Sequence, residues 1–309
     1  MLDNVDRRDG RVYVFASGDD PLRLAVRVAV ATGRPLLLRG DPGVGKSSLA
    51  AFIARERKWR YYEHTVTART EATDLLWTFD AVRKLGDATL LASRGPKATL
   101  NDHDYVNPGA LWWAFNPSSA TNRGADDGVV HAAEEPLSEL NQSRSEDGAV
   151  VLVDEIDKAD PDVPNALLLP LGSRQFDITD TATRVVQTRP QVILIFTTNE
   201  ERVLPPAFVR RCVVHHISSP DAKRMKRIAA GHAKLRKRSL SPAERKVISE
   251  IAEVTERLQG TARDLRLRPP GVAEFLDAVW AALDLGVTTQ DDRWQYVKQL
   301  TLAKEEGLS

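Results

Sequence analysis

The stretch Gly40-Asp41-Pro42-Gly43-Val44-Gly45-Lys46-Ser47-Ser48 limits this chain more than any other. It carries the full G-x-x-x-x-G-K-S pattern, with an apolar run, Pro35 to Leu38, in front and a helix-forming segment, Lys46 to Arg57, behind. That strand, loop and helix context separates a phosphate-binding loop from a glycine turn that happens to hold a lysine. The glycines let successive backbone N–H groups face one concavity, and a helix starting near Lys46 adds its positive end. The Lys46 ammonium then reaches the β- and γ-phosphates, and the Ser47 hydroxyl is suited to Mg2+. Gly40 to Ser48 are therefore expected to hold ATP.

Two further apolar runs, Ala149 to Val153 and Val192 to Phe196, have the length and β-branched content of strands buried on both faces. Weaker strands are expected over Tyr61 to Thr67 and Val213 to Ile217, and a helix over Val163 to Leu171. The alternation predicts a parallel sheet covered by helices. The first run ends in Asp154-Glu155, a poor place for unpaired charge unless a cation is bound there. It reads as a Walker B motif, with Asp154 on the metal and Glu155 deprotonating the attacking water. The second run ends in Thr197-Thr198-Asn199, whose neutral side chains lie at a strand's carboxyl end. Asn199 is the candidate sensor of the γ-phosphate and the water, whereas Asp157 and Asp160 are expected to be solvated or to cap the next helix.

Beyond Ser219 apolar residues recur at helical spacing, in Met225, Ile228 and Ala229 and again from Val247 to Leu258, followed by helices over Gly271 to Leu285 and Asp291 to Lys304. The domains expected are an α/β core over 1–219 and a small helical lid over 220–309. The interval from Lys46 to Asp154 is longer than a βαβ crossover needs, so extra elements belong near 90–108 and 116–148. The second of these, rich in Ser, Asn, Asp, Glu and Gly, reads as a mobile surface loop.

Lys+Arg and Asp+Glu both total 43, so no net field holds the chain on nucleic acid or an anionic membrane. The single cysteine, Cys212, excludes an internal disulfide and reads as a small buried hydrophobe. Residues Met1 to Asp9 are polar and no apolar run approaches the length of a membrane helix, which predicts a cytoplasmic protein.

The order P-loop, Asp154-Glu155, Asn199, then Leu204-Pro205-Pro206-Ala207-Phe208-Val209-Arg210-Arg211-Cys212 and a helical domain resembles the AAA+ ATPases of the MoxR group. The resemblance runs from about Pro21 to Leu302 and includes Asp154-Glu155-Ile156-Asp157-Lys158-Ala159 leading into Pro164-Asn165, and Phe176-Asp177-Ile178. It implies a P-loop AAA+ core with a parallel five-stranded sheet, a helical lid and a hexameric ring with ATP at subunit interfaces. It also implies an arginine finger from the neighbour, for which Arg210 and Arg211 are the candidates, and a β-ribbon within 90–108 and another over Phe176 to Thr188, both at the pore. The activity implied is ATP-driven, chaperone-like remodelling of a protein partner, often one with a von Willebrand factor A domain.

One departure is that Pro269-Pro270-Gly271-Val272-Ala273 lacks the arginine many members carry at the start of the third lid helix. Arg263, Arg266 or Arg268 are the substitutes at hand. Trp112 and Trp113 are expected to pack in the core rather than grip a chain in the pore. The basic run Lys223-Arg224, Lys226-Arg227, Lys234 and Arg236-Lys237-Arg238 reads as a solvated face. The alternatives are an AAA+ motor acting on nucleic acid, which would need an added DNA-binding domain, a metal-chelatase subunit, or a nucleotide switch without turnover, against which Glu155 and Asn199 argue.

Overall fold

A computed structural model describes residues 10–15, 20–92, 100–126 and 131–304. In chain order the elements are α1 (Asp20–Thr32), β1 (Leu36–Arg39), α2 (Lys46–Arg57), β2 (Trp59–Thr65), β3 (Trp77–Phe79), α3 (Ala81–Ala92), β4 (Val106–Pro108), α4 (Ala110–Phe115), α5 (Pro117–Thr121) and α6 (Ser138–Asn141). Then follow β5 (Ser145–Asp154), α7 (Asp162–Ala166), α8 (Leu168–Ser173), β6 (Gln175–Ile178), β7 (Thr183–Val186), β8 (Gln191–Thr198), α9 (Pro206–Arg211) and β9 (Val213–His216). Four helices close the chain: α10 (Ala222–Leu235), α11 (Pro242–Asp264), α12 (Val272–Leu285) and α13 (Arg293–Thr301). The fold is the P-loop AAA+ α/β fold, with a parallel sheet in the order β2-β5-β8-β1-β9 and a helical C-terminal region. Among the described residues no helix is long and apolar enough to cross a membrane.

By their contacts the described residues form two compact units, one of Arg27–Leu37 with Ile53–Val213, the other of the residues up to Val26, Leu38–Phe52 and those from Val214 on. In the first, β5 is the central strand. It pairs in parallel with β2, from Arg60↔Ala149 to Thr65↔Asp154, and with β8, from Gly148↔Gln191 to Val153↔Phe196. Val150, Val151, Leu152 and Val153 are buried on both faces, which is why the run reads as unbroken apolar sequence rather than alternating. α4 supplies much of the remaining core, for Trp112 and Trp113 are both buried among Leu111, Ala114 and Phe115. Cys212 is buried too, its thiol donating to the Phe208 carbonyl at 3.4 Å.

Three local expectations differ. The helix expected over Val163 to Leu171 is two helices, α7 and α8, meeting at Leu167. Pro170 has no N–H to give and its ring would strike the carbonyl of Ala166, so one helix cannot run through. In the ribbon expected within 90–108 only Val106–Pro108 is strand; its antiparallel partner is β3, with Trp77↔Pro108 and Phe79↔Val106, and residues 93–99 lie outside the described ones. The β6–β7 ribbon does form, from Gln175↔Val186 to Ile178↔Thr183, and Trp77 joins the two ribbons by stacking on Phe176, centroids 6.0 Å apart, and donating to Asp180 at 2.8 Å.

The described residues of segment 116–148, read as a mobile loop, are pinned instead. Asn116 caps α5 by accepting from Ser119 N–H at 3.0 Å, and buried Asn141 clasps the Tyr61 main chain, accepting from its N–H at 2.9 Å and donating to its carbonyl at 3.2 Å. Glu135 accepts from the Tyr62 hydroxyl at 2.6 Å and pairs with Arg60. Residues 127–130 of the segment lie outside the described ones. Burial and the Glu135 carboxylate push the Tyr62 phenol far above its ordinary range.

In the second unit the lid helices bury Met225, Ala229, Ile251, Phe275, Val279 and Trp280 as one core. α11 opens with a capping box, in which Ser241 accepts from Glu244 N–H while Glu244 accepts from Ser241 N–H. The basic run is not uniformly solvated, because Arg224 is buried and donates through Nε to the Val14 carbonyl at 2.8 Å.

Candidate functional site

The P-loop belongs to the unit that contains the lid. Gly40, Gly43 and Gly45 have φ of +140°, +77° and +98°, a backbone that L-residues with a Cβ rarely adopt. A Cβ on Gly40 would also lie 2.3 Å from the Ile217 carbonyl oxygen. α2 begins at Lys46, whose side chain is buried and whose Nζ donates to the carbonyls of Gly40 at 2.6 Å and Asp41 at 2.9 Å. Asp41 accepts from the Ser219 hydroxyl at 2.8 Å, tying the loop to the chain leaving β9. Pro42 and Val44 stand between the glycines, with Val44 buried, and Ser47 and Ser48 are half-buried in the first turn of α2.

The lid meets this loop through Gly271, the cap of α12. Val272 N–H donates to the Gly43 carbonyl at 3.0 Å, and a Cβ on Gly271 would fall 2.9 Å from both Gly43 Cα and the Pro42 carbonyl oxygen. In place of an arginine, this lid brings a bare backbone to the P-loop. Of the three arginines upstream, Arg268 pairs with Glu274 at 3.1 Å, and Arg263 and Arg266 are exposed.

The acidic pair belongs to the other unit. Asp154 ends β5, is buried, and its Oδ1 accepts from the Thr197 hydroxyl at 2.6 Å. The same hydroxyl oxygen accepts from Glu155 N–H at 2.9 Å. Glu155 has φ +62° and ψ +47°, the left-handed region that costs a residue with a Cβ about 1–2 kcal/mol, so its backbone is held there by its surroundings. Its carboxylate is shared: Oε1 accepts from Asn199 Nδ2 at 3.2 Å, and Oε2 from Lys158 Nζ at 2.6 Å. That bond pushes the Lys158 ammonium above its ordinary range. Asp157, expected to be solvated or capping, is buried and accepts from Glu201 N–H at 3.0 Å, while Asp160 accepts from Asp162 N–H at 3.0 Å and opens α7.

The sequence gives Thr197, Lys158 and Gly271 no individual role at the site. Thr197 follows from register, since β8 runs beside β5 with Phe196 opposite Val153, which brings the next residue beside Asp154. Gly271 sits where an arginine was sought, and its lack of a side chain is what the contact uses.

Arg210 and Arg211, the last residues of α9, are exposed, and their side chains have no ion pair or hydrogen bond among the described residues. They line a cleft of about 810 Å³ with Arg34, Asn165, Leu168, Leu169 and Ser173. As donors for a metal, the Ser47 hydroxyl and the Asp154 carboxylate are hard oxygens. Mg2+ is ordinarily held by one or two carboxylates with phosphates and water rather than an all-protein cage.

Residues 35–212, more than half of the chain, match the AAA domain, dynein-related subfamily. A comparison with curated proteins finds no match. Among solved structures, domain III of the Thermotoga maritima replication initiation protein DnaA is similar at 13% identity and a TM-score of 0.47, over 96% of this chain and 98% of that one. A variant of RuvB from the same organism is similar at 16% identity and 0.46, over 90% and 72%. An ATPase described as putative from Cytophaga hutchinsonii is similar at 16% and 0.43, over 96% and 83%. At such identities and scores these likenesses carry no argument about function.

Proposed function

The chain belongs to the dynein-related AAA domain family, and from that premise we propose that it is a MoxR-type, Mg2+-dependent ATPase. It works in the cytoplasm as a hexameric ring, with a core over 1–219 and a lid over 220–309, and remodels a protein partner of the kind that carries a von Willebrand factor A domain. The observation that carries the nucleotide chemistry is the P-loop: three glycines in left-handed backbone, a helix opening at Lys46, and a buried ammonium spending its donors on the carbonyls of Gly40 and Asp41. Phosphate oxygens are stronger acceptors than those carbonyls, so a triphosphate would draw the lysine onto itself.

Residues Gly40 to Ser48 bind the phosphates, and Ser47 and Asp154 hold the metal. The chemistry Mg2+ would supply there is neutralisation of the phosphate charge. Glu155 accepts the proton of the attacking water and Asn199 orients that water. In the state described, Glu155 is occupied by Lys158 and Asn199. Catalysis requires at least the lysine to let go, because a carboxylate bound on both oxygens is a weaker base. Arg210 or Arg211 serves the γ-phosphate of the neighbouring subunit, which suits two guanidinium groups that make no ion pair or hydrogen bond among the described residues.

A mixing experiment tests the ring. Arg210→Ala/Arg211→Ala protein keeps its P-loop, and Lys46→Ala protein keeps its arginines; each should be inactive alone, and the mixture should recover part of the ATPase activity. Two co-assembled variants that stay as inactive together as apart would contradict a finger supplied between subunits.

A further inference from the structure

The cleft beside α9 contains a third arginine, and it is used differently from the other two. Arg34 lies just ahead of β1, between Gly33 at φ +65° and Pro35. Its guanidinium donates through Nε to the Arg211 carbonyl at 3.1 Å, and through one terminal nitrogen to the carbonyls of Arg210 and Cys212, the latter at 3.0 Å. These are carbonyls that a helix leaves without intrahelical partners at its carboxyl end, where a cation is also favoured by the helix dipole. The next residue adds a main-chain tie, since Val213 N–H donates to the Pro35 carbonyl at 2.8 Å. Residues 34 and 35 thus grip the main chain of four consecutive residues, Arg210 to Val213.

The geometry points to Arg34 as the positioning residue for Arg210 and Arg211. Arg34 commits its Nε and one terminal nitrogen to backbone carbonyls. Arg210 and Arg211 have side chains without a bond among the described residues, on a backbone that Arg34 holds still. This rests on the proposal that one of the pair serves another subunit's ATP, and it adds the residue that sets their aim. α9 is only six residues long and needs such a clamp, because so short a helix does not hold its own last turn. Lysine cannot replace Arg34, since one ammonium on a flexible stem does not span three carbonyls as a planar fork does.

The test uses the full chain with Arg34→Ala, Arg34→Lys, Arg210→Ala/Arg211→Ala, and Arg34→Ala added to that pair. ATP affinity is read by calorimetry, assembly by sedimentation, and kcat and KM by phosphate release. Arg34→Ala and Arg34→Lys should both bind ATP and assemble within about twofold of the parent while kcat falls roughly tenfold to a hundredfold, the scale of misplacing a catalytic group by about an ångström. Added to the double alanine, Arg34→Ala should lower kcat no further, because the groups it aims are already gone. Arg34→Ala mixed with Lys46→Ala should regain activity, since the second protein donates correctly aimed arginines. Normal kcat in Arg34→Ala, full rescue by lysine, or an undiminished loss in the triple variant overturns the positioning role while leaving the finger standing. Normal kcat in the double alanine overturns the finger itself.

Discussion

Replacing Thr197 by valine removes one hydroxyl and almost no volume, and the structure assigns that hydroxyl two bonds. It donates to the Asp154 carboxylate at 2.6 Å and accepts from the Glu155 N–H at 2.9 Å, with the threonine fully buried. A hydrogen bond to a charged group contributes about 1.5–3 kcal/mol and a neutral one about 1, and a buried donor left unpaired adds its own penalty. Thr197→Val should therefore lose roughly 2–4 kcal/mol of stability. Thr197→Ser keeps both bonds and gives up one buried methyl, which costs about 1 kcal/mol. Urea unfolding of the three proteins checks the order, parent, serine, valine. The same substitutions bear on turnover, because Glu155 stands in left-handed backbone and Thr197 accepts from its N–H. Valine should lower kcat at least tenfold with ATP binding retained, and serine should restore most of it. A valine variant as stable and as active as the serine variant would refute the assignment.

Gly271→Ala should weaken the tie between lid and P-loop, since its Cβ would sit 2.9 Å from backbone atoms of Gly43 and Pro42 that cannot swing aside. A loss of roughly 1–3 kcal/mol in urea unfolding, with weaker ATP binding, is expected; unchanged values would mean that the contact is not held in solution. Glu244 is held down to about 2 by the Ser241 N–H, with the Arg238 guanidinium and Ser241 hydroxyl adding to it. A carboxylate depressed on folding contributes stability above its unfolded value, near 4.3, that is lost as pH falls toward 2. The melting temperature of Glu244→Gln should thus drop less between pH 5 and 2 than that of the parent, and parallel curves would exclude Glu244 as a source of the acid sensitivity.

What the sequence makes legible is what lies along it. The P-loop pattern is contiguous, so Lys46–Arg57 could be marked as a helix to the residue, and the doubly buried strands β5 and β8 stand out as unbroken apolar runs. The features that hold the site together come from pairing across the chain. Thr197 is one of two threonines until the β5–β8 register sets it next to Asp154, and Arg34 is an ordinary arginine before a strand until α9 ends beside it. Composition also misled in 116–148, because it counts polar residues without saying whether, like Asn141, they find a main chain to bind. The three-residue strand β3 was too short to register as a period-2 pattern, although Trp77-Thr78-Phe79 has the β-prone residues for it.

The central claim, that this P-loop and its acidic pair hydrolyse ATP, is tested most directly by measuring ATP binding and phosphate release side by side in the parent, Lys46→Ala and Glu155→Gln. The parent should bind Mg2+·ATP and release phosphate. Lys46→Ala should bind no ATP, having lost the ammonium that meets the triphosphate, and Glu155→Gln should bind it with near-parent affinity and release no phosphate, since an amide can hold the water but cannot take its proton. Near-parent ATP affinity in Lys46→Ala, or parent-rate turnover in Glu155→Gln, would contradict the account.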